Sequence, residues 1–123
     1  ARTSPFPIIL RYNAAYPLVV DRNFADNPAI QRIPLDDGGG FTAIPKRGQG
    51  IHQPVDDDRF SSVLRWAASN DLYATIYLYP DSHGVFADLR ESLARAKLSY
   101  GLEFIPPGRE LNFASEGESP PEL

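Results

Sequence analysis

Between Asp56 and Ile105 the hydrophobic period switches from helical to extended and back again, and these switches most constrain the fold. Phe60, Val63, Leu64, Ala67 and Ala68 recur at i, i+3, i+4, i+7 and i+8, the spacing of a helix with one apolar face. Asp56, Asp57 and Asp58 supply cap carboxylates and favourable charge at its start. Asn70 is the expected left-handed stop. Leu72, Ala74, Ile76 and Leu78 then alternate with Tyr73, Thr75, Tyr77 and Tyr79, a strand with bulk on both faces that Pro80 ends. Ser82 is placed to cap a second helix through Phe86, Leu89, Leu93 and Ala96. Ser99-Tyr100-Gly101 breaks that helix, and Leu102 to Ile105 reads as a closing strand halted by Pro106-Pro107.

Helix, strand, helix, strand at this spacing favours right-handed crossovers with both helices on one face of the sheet. Upstream, Ile8 to Leu10 reads as a short edge strand beside Pro5 and Pro7, and Pro17 to Asp21 as a second strand. Residues 22–56 form an irregular connection rich in proline. Within it Ile30 to Leu35 and Phe41 to Ile44 are long enough for strands, and Asp37-Gly38 between them is a hairpin signal. The expected fold is α+β (α/β-like): a two-layer sandwich of a mixed four- to five-stranded sheet with two helices on one face. Residues 1–113 are expected as a single domain and 114–123 as a disordered tail, because the last residues offer little to bury.

Charge and composition narrow the function classes. A net charge of −4 with 12 scattered Lys and Arg residues argues against a nucleic-acid surface, which needs clustered cations. The chain has no cysteine, which removes disulfides and thiolate metal sites from consideration. No apolar run approaches the length of a membrane span, so no membrane insertion by this segment is expected. The start at Ala1 is compatible with a segment cut from a longer, membrane-anchored chain, and both cytoplasmic and periplasmic settings stay open.

Few residues could carry chemistry. His52 lies near Asp56, Asp57 and Asp58, but three consecutive aspartates cannot converge on one ion in helical geometry. Asp81, Ser82 and His83 supply a carboxylate, a hydroxyl and an imidazole after a strand, where sites gather in open α/β sheets. Their consecutive order suits a capping turn better than a triad, whose members must face one another. Asp36-Asp37-Gly38-Gly39-Gly40 lacks the Lys-Ser/Thr ending of a phosphate loop and reads as a turn. The stripe of Tyr73, Tyr77 and Tyr79 is the candidate partner surface, with packing beneath residues 22–56 as the competing reading.

The segment from Tyr73 to Ala96, YATIYLYPDSHGVFADLRESLARA, resembles the ExbD/TolR family of periplasmic domains: an apolar strand ending in an acid, a short turn, an amphipathic helix and a closing strand. Asp81 falls at the family's strand-terminal Asp, and Leu102 to Ile105 at its closing strand. The segment is similar as well to uncharacterised planctomycete proteins with a strand-Pro-Asp-helix ending. The family's membrane helix and intramembrane acid have no counterpart in this sequence, and residues 22–56 are longer than the family's connection. The resemblance therefore implies a non-enzymatic accessory or anchoring domain, with a protein partner or a second copy, rather than an ion pathway. Two classes stay open: a protein-binding module without cofactor, and a small hydrolase or metal-dependent enzyme using Asp81, Ser82, His83 and His52. A structural protein whose proline-rich arms, 1–17 and 106–123, embrace neighbours is a third.

Overall fold

The computed structural model describes residues 5–114; the tail expected over 114–123 falls, beyond Ala114, outside the described residues. The chain forms β1 (Pro5–Arg11), β2 (Ala14–Pro17), β3 (Ile30–Pro34), β4 (Phe41–Pro45), α1 (Asp58–Ser69), β5 (Tyr73–Leu78), α2 (His83–Ala96), β6 (Tyr100–Phe104) and β7 (Leu111–Phe113). Four strands make a mixed sheet in the order β2-β1-β5-β6, and three make an antiparallel sheet in the order β3-β4-β7. The fold is α+β, as the sequence predicts.

Both helices cover one face of the mixed sheet. Phe6, Ile8, Leu10, Ala74, Ile76 and Leu78 meet Phe60, Val63 and Leu64 of α1 and Val85, Leu89 and Leu93 of α2. Each large side chain buried here contributes about 1.5–3 kcal/mol before its ordering entropy is subtracted. Asp57 caps α1 by accepting from the Phe60 N–H at 2.8 Å. The left-handed residue after α1 is Asp71 (φ 63°) rather than Asn70, whose N–H bonds back to Trp66 O and Ala67 O. After α2 the left-handed position falls to Lys97, and the Leu98 N–H reaches Leu93 O at 3.1 Å, closing the helix end.

The opposite face of the mixed sheet is covered too, which adds a third layer to the expected sandwich. The antiparallel sheet buries Ala29, Ile30, Ala43 and Leu111 against Ile9, Tyr16, Leu18, Tyr79 and Ile105. The expected hairpin is present, with Ile30 opposite Pro45 and Pro34 opposite Phe41. Its turn is held by Asp36, whose Oδ1 accepts from the Gly38 N–H at 2.8 Å.

Two strands differ from expectation. β1 lies inside the sheet, parallel to β5 and antiparallel to β2. Pro7 faces Leu18, whose N–H donates to Pro7 O at 3.0 Å, and the donor that Pro7 lacks is not missed because Leu18 O accepts from the Asn27 N–H at 3.1 Å instead. The strand expected over Pro17–Asp21 instead ends at Pro17, and Val19 makes only an isolated bridge to Asp26.

Candidate functional site

The carboxyl ends of β1 and β5 lie side by side, with Leu10 in register with Leu78. β1 reverses into β2 through Tyr12 and Asn13, both in the left-handed region at φ 57° and 55°, a two-residue turn that Asn tolerates well. β5 leaves through Tyr79 into a single 3-10 turn at Pro80–Ser82, and α2 follows at once.

These two turns are bolted together by the residues singled out in the sequence. The Tyr12 N–H donates to Asp81 Oδ2 at 3.0 Å, and the Asn13 N–H donates to Ser82 Oγ at 2.9 Å. The Ser82 hydroxyl donates in turn to Asp81 Oδ1 at 2.8 Å. Ser82 is 0% exposed. It precedes α2 without a side-chain capping hydrogen bond, because its oxygen serves the β1–β2 turn instead. A buried hydroxyl engaged on both sides is not presented to a substrate, so the chemistry of Asp81 and Ser82 here is that of a staple.

The two histidines are placed differently. Ile51 bridges Ala15 along the outer edge of β2, through hydrogen bonds of 2.8 and 2.9 Å. That placement sets His52 Nδ1 at 3.3 Å from Asn13 O. His83 opens α2 and is exposed. Among the described residues no three histidine or acidic side chains assemble into a possible metal site. Asp57 is committed to its cap, and Asp88, which the sequence did not single out, accepts from the Val55 N–H at 2.9 Å. Its signal could only have been its place on the α2 face turned towards residues 54–56.

Of the tyrosine stripe, Tyr79 is 2% exposed and its hydroxyl donates to Arg109 O. Burial pushes its phenol above the ordinary value, against the opposing pull of Arg11. The Arg11 guanidinium lies 4.4 Å from the Tyr79 ring centre, and Tyr12 is flanked by Arg11 and by Arg47, at 5.0 and 4.3 Å. Tyr77 is half-buried, edge-on to Phe113 at 5.5 Å. Burial, then the charge of Glu103, raises its phenol to about 12. Tyr73 is half-buried at the start of β5. Tyr77 and Tyr79 thus meet the second sheet, the packing beneath residues 22–56 that competed with the partner-surface reading.

The exposed aromatic surface lies elsewhere, on β6. Among the described residues this strand pairs only with β5, and Phe104 is 69% and Tyr100 40% exposed. Tyr100 packs edge-on against Phe86 of α2 at 6.2 Å. Tyr100, Leu102 and Phe104 are in register with Ala74, Ile76 and Leu78, so they share the helix-bearing side of the sheet. Reading Tyr100 as a breaker hid this row, since a strand counted from Leu102 shows only half of it.

No helix among the described residues is long and apolar enough to cross a membrane. No family model, curated protein or solved structure matches the chain.

Proposed function

We propose that this domain is a non-enzymatic protein-binding or anchoring module that takes an added strand at β6, and that its first partner is a second copy of itself. The observation that carries this reading is a strand that, among the described residues, is unpaired on one side and bears Phe104, the most exposed large apolar side chain there, together with exposed Tyr100. Edge strands recruit extended partners through their free main-chain groups, and alternate side chains supply specificity.

The order of residues in β6 is self-complementary. Two copies related by a two-fold axis at Leu102 set each Tyr100 opposite the other copy's Phe104, all on the helix-bearing side. Glu103 then faces Gly101, so no like charges meet. The placement of such a module in an ExbD/TolR-like assembly rests on the resemblance of residues 73–96 to that family. The engaged state of Ser82 weighs against the hydrolase alternative, and the lack of a converging ligand set among the described residues weighs against the metal one.

Sedimentation equilibrium of the parent and of Phe104→Lys tests the reading. The parent is expected to dimerise with rising concentration and the variant to stay monomeric with an unchanged melt, because Phe104 is largely solvent-exposed already. A parent that stays monomeric at every concentration, or a variant that dimerises equally well, overturns it.

A further inference from the structure

At the β2 side of the molecule, away from β6 in strand order, a groove of about 620 Å³ opens between residues 20–22 and one face of α1. Its floor is apolar, from Val20, Val63 and Trp66. Its rim carries three guanidinium groups: Arg22 from the loop, Arg59 and Arg65 from the helix. Among the described residues, ion pairs form at Arg32 and Arg95 only, so none of the three rim arginines is neutralised by a carboxylate. Asp21 is the single acid in the lining. Its Oδ1 is committed to the loop, accepting from the Asn23 and Ala25 N–H groups at 2.9 and 3.3 Å. Three cations against one anion give this wall a local positive balance on a chain of net charge −4.

The loop that forms the wall is also strained. Phe24 sits at φ 61°, a region a bulky side chain rarely enters. It is held there by Asp21 O, which accepts its N–H at 3.0 Å, and by an edge-on contact with Trp66 at 5.2 Å. The Phe24–Trp66 contact ties this loop to α1. The groove is open to solvent, with buried Val63 and half-buried Val20 and Trp66 beside the exposed arginines, so a ligand there is held by charge and by one apolar contact face rather than by enclosure.

We infer that the Arg22–Arg59–Arg65 groove binds a small organic phosphate, its phosphoryl oxygens on the guanidinium rim and its apolar or planar body over Val63 and Trp66. Planar guanidinium forks match phosphate oxygens in pairs. Ser62 and Ser69, on the same helix face, supply hydroxyl donors beside them. The inference is independent of the β6 edge and stands or falls separately from it.

Trp66 is the chain's single tryptophan, so its indole N–H resonance reports on this groove without ambiguity. Titration with adenosine monophosphate, inorganic phosphate, adenosine and hexaglutamate separates the contributions. The nucleotide is expected to shift the Trp66 indole resonance saturably at millimolar concentration or below, with phosphate and adenosine each weaker. Arg59→Ala and Arg65→Ala, both solvent-exposed changes, should each weaken the nucleotide by about tenfold, as loss of a charge-assisted contact requires. Amide spectra of the variants that match the parent elsewhere confirm that the fold is kept. A nucleotide that never saturates, inorganic phosphate or hexaglutamate binding as tightly as the nucleotide, or affinity unchanged in the double arginine variant overturns the inference.

Discussion

Ser82→Ala separates a structural hydroxyl from a chemical one. Ser82 Oγ accepts from the Asn13 N–H at 2.9 Å and donates to Asp81 Oδ1 at 2.8 Å. Alanine leaves the part-buried Asn13 N–H without its acceptor, which costs towards the lower end of the about 1–3 kcal/mol of a fully buried unsatisfied donor. The bond to Asp81 contributes less, because Asp81 is exposed and water replaces the hydroxyl there. The net loss is therefore about 1 kcal/mol, which lowers the Tm of a domain this size by about 3–5 °C. Urea melts should show the midpoint moving with no change of slope, since the surface exposed on unfolding is the same. Asp81→Ala, whose Tyr12 N–H can turn to water, should cost about 0.5–1 kcal/mol. The double variant should lose less than the sum of the singles, by about 0.5–1.5 kcal/mol, because the two side chains hold one turn between them. Melts of Ser82→Ala that coincide with those of the parent refute the staple and reopen the hydroxyl to a chemical role.

Two further outcomes probe the layers on either side of the turn. A Cβ placed on Gly50 would lie 2.6 Å from Tyr16 Cζ and 2.7 Å from Ala14 Cβ, so Gly50→Ala should destabilise by about 1–3 kcal/mol through overpacking; a thermal melt unchanged from the parent would show the residues 50–52 strap to be free to move. Tyr77 has a folded-state value of about 12 against the ordinary 10.0, so the stability tied to its neutral phenol is complete below pH 10 and is lost as pH rises towards 12, where the unfolded chain ionises first. Tyr77→Phe should flatten that alkaline loss in urea melts across this window, and an identical slope in both proteins contradicts the burial of the ring.

How much of this was legible follows from the distance over which each contact acts. The two helices and β5 are local patterns: Phe60, Val63, Leu64 and Ala67, then Ala74, Ile76 and Leu78, and Leu89, Leu93 and Ala96 bury where their spacing says, whereas in the first turn of α2 Val85 is buried and the expected Phe86 stays half-buried. The hairpin of β3 and β4 was legible for the same reason, with its Asp-Gly turn between two short apolar runs. Ser82 was legible only as a residue of interest. Its partner Asn13 lies 69 residues away, and a Ser before a helix announces a cap unless a distant turn claims its oxygen. β7 has three residues and no pattern of its own, so only its pairing with β4 defines it. The placement of β1 within the sheet depends on β2, which the apolar run at 18–20 drew three residues too late.

The treatment of strand edges gives the strongest physical support for β6 as the working surface. Among the described residues both sheets are open, which leaves four edges to protect from stray pairing. The outer side of β2 is occupied by Ile51, which exchanges both main-chain hydrogen bonds with Ala15. β3 ends in Pro34 and carries Arg32, stacked 4.2 Å over Phe41 and paired with Asp26 at 2.8 Å; a proline and an anchored charge both discourage an added strand. β7 is three residues long, too short to template much. β6 has none of these guards: five residues without proline, a single charge at Glu103, and aromatic side chains at both ends. Among the described residues three edges are blunted and the fourth is apolar and uncovered, the distribution expected when one edge is reserved for a partner, because the devices that close the others were equally open to it there.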